Sequence, residues 1–439
     1  MKKIYIFLGL GLVNSLALSF FCEAKNRAYY YPFDDLESKA VSFVSKANKS
    51  IRISAYNLKS DKMLDALIDR VENGVDVEVL VNDGQTREVQ EYLTPLADLG
   101  VEIRYSSAIN HHKFAIVDDE KLLNSSANFN GSVGAKKFDE NTVICEERNT
   151  CDNLVNAYVN EFKAIHTNAN VKGDASVENP WTKEGLILHE IYEGLALFTS
   201  ANFLPILSRG KISLRSQYVE GQLGAVESEL IRGIRSARSQ IQIASTRIRS
   251  KDLYDALVSA VSRGVEVQVV LDGQEYFSKW AQKRQDKKLE ECFERESEAA
   301  CYRKGINYSR MLAEAGADLR FKYYMLRWNF QGAPQMHHKY MILDSNRVYS
   351  GSYNWSYNAE FQSLENVAIY ESDTFFEIVS KYEDNFEQVF NYGQDRGGFE
   401  SLMERFGTAG EVPQRFEPVS LSVDEIDQLK ASINGNTSY

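Results

Sequence analysis

The chain contains two copies of one unit, and that limits what it can fold into. The segment "IRISAYNLKSDKMLDALIDRVENGVDVEVLVNDGQ", from Ile51, aligns with "IQIASTRIRSKDLYDALVSAVSRGVEVQVVLDGQ", from Ile241, without a gap until the last turn, where the first copy carries an extra residue. Self-similarity on this scale marks duplicated structural units. Each copy opens on an alternating strand, Ile51 and Ile53 or Ile241 and Ile243, since residues two apart share a face. A helix follows, capped by Ser60 or Ser250, with Leu64, Leu67, Ile68 and Val71 at helical spacing in the first copy. Gly74 or Gly264 ends it, as a residue able to take positive φ. A second strand runs to an Asp-Gly turn, and "EYLTPLADLGVEIRY" and "RMLAEAGADLRFKYY" then repeat helix and strand once more. This rhythm predicts an α/β fold of two domains, each a mixed β-sheet with helices on both faces. A length of 439 residues suits that division.

The chemistry-bearing residues follow the repeat. Four of the six histidines lie in "NHHKFAIVDD", from Asn110, and "MHHKYMILDS", from Met336. Strand alternation projects His111 with Lys113, and His337 with Lys339, while His112 and His338 point the other way. Each strand ends at an aspartate, Asp118 or Asp344; beyond lie Ser125, Ser126 and Asn128, or Gly351, Ser352 and Asn354. "ENTVI", from Glu140, and "ENVAI", from Glu365, return a carboxylate. The first copy has one more residue between Asn128 and Glu140, which makes Asp139 a rival to Glu140. Such a set suits a phosphodiester. Histidine can attack phosphorus or protonate a leaving oxygen near neutral pH. Lysines and Ser/Asn donors can hold the phosphoryl oxygens, and a carboxylate can orient an imidazole.

The H-x-K-x4-D-x6-G-S-x-N pattern, present twice, resembles the phospholipase D superfamily from about Tyr30 to Tyr392. The resemblance implies two pseudo-twofold-related domains meeting at one shared site. It implies His111, Lys113, Asp118, His337, Lys339 and Asp344 as the catalytic motifs, with the two aspartates bracing the fold. His111 is then the nucleophile and His337 the general acid. Ser126, Asn128, Ser352 and Asn354 are expected to bind substrate, and Glu140 and Glu365 to orient the imidazoles. Ser125 departs from the family's glycine, so a slightly reshaped turn is expected there. No cofactor and no metal are expected.

The ends of the chain point to export. Met1-Lys2-Lys3, the apolar run Ile4 to Phe21 and the small residues Cys22 and Ala24 read as a signal peptide, residues 1–24. An uncleaved anchor and lipidation at Cys22 are the alternatives. Four cysteines remain, Cys145, Cys151, Cys292 and Cys301, in two close pairs whose spacings are not those of a zinc site. Two local disulfides are expected, with a periplasmic or secreted location. The expected layout is residues 25–170 and 216–395 as the domains, 171–215 as the segment between them and 396–439 as a tail. The second domain carries an extra charged stretch from Tyr276 to Tyr302. His166 and His189 read as structural, and "FKYYMLRWNFQGAPQ" as a substrate entrance or plain core.

The net charge of −12 lacks the basic surplus of a nucleic-acid groove. The expected function is therefore an exported phospholipase D-type hydrolase, a monomer acting on glycerophospholipids at a membrane surface. Alternatives are a cardiolipin synthase-like phosphatidyl transferase, a secreted nuclease and a non-catalytic lipid-binding scaffold.

Overall fold

The computed structural model describes residues 26–83, 86–131, 138–171, 195–219, 221–273, 279–297, 301, 308–323, 335–408 and 418–436. The expected signal peptide, His189 and most of "FKYYMLRWNFQGAPQ" lie outside the described residues. Among the described residues no helix is long and apolar enough to cross a membrane.

Two eight-stranded sheets carry the fold. The first holds β1 (Arg27–Tyr31), β2 (Ser50–Ala55), β3 (Asp76–Asn82), β4 (Glu102–Ser106), β5 (Lys113–Val117), β6 (Lys121–Ser125), β7 (Glu140–Cys145) and β8 (Asn170–Val171). The second holds β9 (Ala196–Phe198), β10 (Gln240–Ser245), β11 (Glu266–Asp272), β12 (Asp318–Tyr323), β13 (Lys339–Leu343), β14 (Arg347–Gly351), β15 (Asn366–Glu371) and β16 (Val419–Ser422). Their orders are β1-β7-β6-β5-β2-β3-β4-β8 and β9-β15-β14-β13-β10-β11-β12-β16. Adding eight to each label of the first order gives the second, so the duplication extends to the whole sheet. In each, β2–β3–β4 or β10–β11–β12 run parallel, and the motif strand lies antiparallel to β2 or β10.

Two expected boundaries change. Residues 196–198, expected between the domains, form the edge strand β9 beside β15. Residues 419–422, expected in the tail, form the edge strand β16 beside β12. Strands of three and four residues, held by main-chain pairing, carry too little side-chain periodicity to show in sequence. The weak helical signal after Val423 is a helix, Val423–Asn436.

Local rules explain the repeated units. Helices α1 (Leu36–Val44), α2 (Asp61–Glu72), α3 (Thr86–Asp98) and α4 (Arg148–Thr167) belong to the first half; α5 (Ala225–Ser236), α6 (Lys251–Ser262), α7 (Ser309–Glu314) and α8 (Ser372–Phe390) belong to the second. Ser60 accepts from the Met63 amide at 3.1 Å and Ser250 from the Leu253 amide at 3.2 Å, capping α2 and α6. Gly74 and Gly264 follow these helices at φ of +81° and +85°. The motif strands are buried throughout, because both sheet faces are covered. Ala115 and Val117 pack outward with Phe43, Met63 and Leu67, and Met341 and Leu343 outward with Leu230 and Leu257. Phe114 and Ile116 pack inward with Tyr340, Ile342, Tyr158 on α4 and Tyr382 on α8. This central core is common to both halves, with α4 and α8 between the sheets.

Both disulfides close, Cys145–Cys151 tying the end of β7 to α4 and Cys292–Cys301 tying the charged insertion to itself.

Asp118 and Asp344 lie away from the motif histidines, at the opposite end of a five-residue strand that spans roughly 16 Å. They stay outside the catalytic set for that reason. Each opens a tight hairpin with two successive positive-φ residues, Asp118 and Asp119 at 58° and 54°, Asp344 and Ser345 at 51° and 53°. Asp118 accepts from the amides of Asn48, Lys49 and Ser50, and Asp344 from those of Arg238, Ser239 and Gln240. Burial would raise Asp344, but these bonds together outweigh it and hold the carboxyl down to about 2. The carboxylate's stabilisation is thus present above the unfolded value of about 3.9 and lost as pH falls through about 2. Asp344→Asn should melt earlier than the wild type at pH 7, and thermal scans should show the gap closing as pH approaches 2.

Candidate active site

The two motifs meet because main-chain pairing crosses between the halves. Ile109–Asn110 runs parallel to Ser363–Leu364, and the His111 amide donates to the Leu364 carbonyl at 3.0 Å. Reciprocally, Asp139 bridges Met336, and the His337 amide donates to the Asp139 carbonyl at 3.0 Å. Each glutamate therefore reaches the histidine of the other half. His111 Nδ1 lies 2.9 Å from Glu365 Oε2, and His337 Nδ1 lies 2.6 Å from Glu140 Oε1. Engaging Nδ1 leaves Nε2 of each ring for chemistry. Both glutamates are buried, while each histidine side chain keeps about a sixth of its surface, 16% and 17%.

Lys113 and Lys339 are buried beside them and donate to the carbonyls of His111 and His337, at 2.6 and 2.7 Å. Ser126 and Ser352, expected on the substrate, are fully buried and serve the glutamates instead. Ser126 Oγ donates to Glu140 Oε2 at 2.5 Å and accepts from the Asn141 amide. Ser352 bonds Glu365 and accepts from the Asn366 amide. A carboxylate with one oxygen on an imidazole needs a second donor when buried, and these hydroxyls supply it. Asn128 and Asn354 remain half-exposed, with the Asn128 amide oxygen enclosed. Asp139 is no rival to Glu140: it is fully buried, ion-paired with Lys322, and accepts from the Tyr392 hydroxyl at 3.0 Å.

Residues 41–166 and 230–390, well over half of the chain, match the family described as "Cardiolipin synthase, PLD-like domain". The chain belongs to this phospholipase D-like family. A "Phospholipase D" of Rickettsia conorii is 28% identical over 119 residues, covering 27% of this chain and 59% of the relative. A "Mitochondrial cardiolipin hydrolase" of Xenopus tropicalis is 27% identical over 135 residues, covering 30% and 61%. The chain thus spans about three-fifths of the length of these curated relatives. Phosphatidylserine synthase of Haemophilus influenzae Rd KW20 superposes with a TM-score of 0.54 at 13% identity, over 94% of both chains. Polyphosphate kinase of Porphyromonas gingivalis does so with a TM-score of 0.52, also at 13% identity, over 82% of this chain and 46% of its own. At such identity the likeness is one of fold.

The electrostatics of this phospholipase D-like site differ between its halves. Burial, then the charges of Lys113, Lys339 and His337, press His111 well below the ordinary histidine range. Burial also lowers His337, but Glu140 opposes it. Burial would raise Glu140, yet the charge and hydrogen bond of His337, with Lys339 and Ser126, hold it below the ordinary range. Glu365 faces a neutral imidazole, and burial raises it to about 8 against Lys113, Ser352 and Lys339. Burial lowers Lys113 to about 7 and Lys339 to about 8, against the pull of both glutamates.

Sequence reasoning overlooked two rings. Tyr56 packs edge-on against His111 with centroids 5.3 Å apart, and Phe138 lies 5.8 Å from His337. Tyr56 directly follows the first strand of the repeat, where the second copy has Thr246, so a comparison of the copies at that strand end would have exposed it.

The Ser125 departure has a physical basis. A Cβ added at Gly351 would sit 2.1 Å from the Asn366 carbonyl oxygen. Ser125 instead donates to the corresponding Asn141 carbonyl at 2.9 Å and accepts from the Ala127 amide at 2.9 Å. Gly351→Ser should cost about 1–3 kcal/mol from overpacking, whereas Ser125→Gly should cost about 1 kcal/mol; urea midpoints measure both. The lysines make a second prediction. Their charge is present below about 7 and 8 and is lost as pH rises through those values. KM for an anionic phosphodiester should therefore climb between pH 7 and 9, well below the ordinary lysine range, and a pH series of initial rates checks this.

Proposed function

We propose that the protein is an exported phospholipase D-type hydrolase that cleaves glycerophospholipids to phosphatidic acid and a free head group, working as a monomer at a membrane surface. The observation that carries this reading is the crossed pairing: two imidazoles, each held by a carboxylate of the opposite half, with a buried lysine beside each. The phospholipase D and cardiolipin hydrolase relatives support a phospholipid substrate, and the two disulfides fit an oxidising compartment.

His111 Nε2 attacks phosphorus, forming an N–P bond as the P–O bond to the head group breaks. The neutral state favoured at His111 suits that role. His337, its Nδ1 held by Glu140, in its protonated form gives the Nε2 proton to the leaving oxygen. Water then attacks phosphorus, His337 takes its proton, and the N–P bond breaks to release phosphatidic acid. Lys113, Lys339, Asn128 and Asn354 hold the phosphoryl oxygens as charge shifts onto them. The family's description favours a second outcome, phosphatidyl transfer, in which an alcohol replaces that water.

Assays on a panel of phospholipids, with and without glycerol or ethanol, separate hydrolysis from transfer; a plasmid and an RNA in the same panel test the nuclease alternative. Activity should survive EDTA, because lysines supply the positive charge; an enzyme revived only by added metal would contradict this mechanism. On a diester with a very good leaving group, His337→Ala should still form the phosphoenzyme while His111→Ala stays inactive. Phosphate trapped on His337 would reverse the assignment.

A further inference from the structure

Glu140 and Asn141 are consecutive on β7, so their side chains leave opposite faces of the strand. Glu140 takes His337, and Asn141 takes the next residue, His338: Asn141 Oδ1 lies 3.1 Å from His338 Nδ1. Burial, with the charges of Lys322, Lys339 and His337, keeps His338 neutral, so its Nδ1 carries the proton that the amide oxygen accepts. The amide nitrogen of Asn141 donates to Ser350 Oγ at 3.0 Å and to the Tyr382 hydroxyl at 2.9 Å. Tyr382 in turn donates to Ser350 at 2.7 Å. Every partner belongs to the second half, and Asn141, His338, Ser350 and Tyr382 are all buried.

The other half lacks this second side-chain grip. Asn366, which follows Glu365, donates to Asn124 at 2.7 Å and to the Tyr158 hydroxyl at 2.8 Å. His112 turns instead to Ser54 of its own half, 3.3 Å away. The second copy has Ala244 where the first has Ser54, so His338 has no such hydroxyl at that position. The side chains of two successive residues of β7 therefore clasp two successive rings of the second motif, while in the first motif only His111 takes a side chain of the other half, His112 meeting that half through the Glu365 main chain. A ring that becomes phosphorylated has to follow phosphorus as its bond forms, whereas a proton donor works from a fixed distance.

We propose that Asn141 is a positioning residue for His337, fixing the motif main chain from which that imidazole reaches the leaving oxygen. This rests on the reading of His337 as proton donor. The test compares the pre-steady-state rate of leaving-group release, which reads phosphoenzyme formation alone, on a phosphodiester with an alkyl leaving alcohol and on one with p-nitrophenolate, for Asn141→Ala, Tyr382→Phe, Asn366→Ala and His337→Ala, with a thermal melt for each. Asn141→Ala should lose about 30–100-fold on the alkyl substrate, the scale of a small misplacement, and less than about 3-fold on p-nitrophenolate, which needs little protonation. Tyr382→Phe, which deletes one hydroxyl, should show the same split at smaller size and carries the test if the alanine variant fails to fold. Asn366→Ala should lose equally on both. Equal losses on both substrates for the Asn141 and Tyr382 variants, with His337→Ala still split, overturn this inference alone. No split in His337→Ala overturns the proton-donor reading and this inference with it.

Discussion

The structure depends on a short main-chain pairing that crosses from one half to the other. Where the strand before His111 meets the segment before Glu365, and Met336, before His337, bridges Asp139, before Glu140, each carboxylate lands on the other half's imidazole. Neither half holds a complete site. The central core holds the halves together: α4 and α8 pack between the sheets, so the halves share buried apolar surface instead of touching across a wet boundary. Buried lysines and glutamates persist in that core because each finds a partner; a single buried charge left unpaired would cost several kcal/mol.

Much of this was legible in the residues, for local reasons. Serine caps, helix-ending glycines and alternating isoleucines obey rules that act within a few positions, and the repeat displayed them twice. The His-x-Lys geometry was legible too, since strand alternation alone puts both side chains on one side. The crossing was not. Which glutamate meets which histidine is decided by pairing between segments 254 and 197 positions apart, and local spacing carries no record of it. Ser126 and Ser352 were misread for a related reason: a hydroxyl near a phosphate motif suggests substrate, and only burial shows that a carboxylate takes it. The Asp139–Glu140 ambiguity fell to strand parity, which turns one carboxylate toward His337 and its neighbour toward Lys322 and Tyr392.

Duplication produced similar halves, and small substitutions made them chemically unlike. Ser54 against Ala244, Tyr56 against Thr246 and Ser125 against Gly351 each alter what surrounds an otherwise repeated motif. The two pairs differ in protonation as well: beside His337, Glu140 is held below the ordinary carboxylate range, while Glu365, beside a neutral imidazole, is raised to about 8. Under the proposed mechanism this asymmetry suits a nucleophile on one side and a proton donor on the other, the division that a two-step displacement at phosphorus requires.

Nitrogen-15 NMR titration of the histidine rings in wild type and Glu140→Gln tests the crossed architecture most directly. Removing the carboxylate charge 2.6 Å from His337 should lower the pH at which His337 loses its proton and leave His111 nearly unchanged, although Glu140 and His111 belong to the same half. A shift at His111 with His337 unmoved would contradict the account.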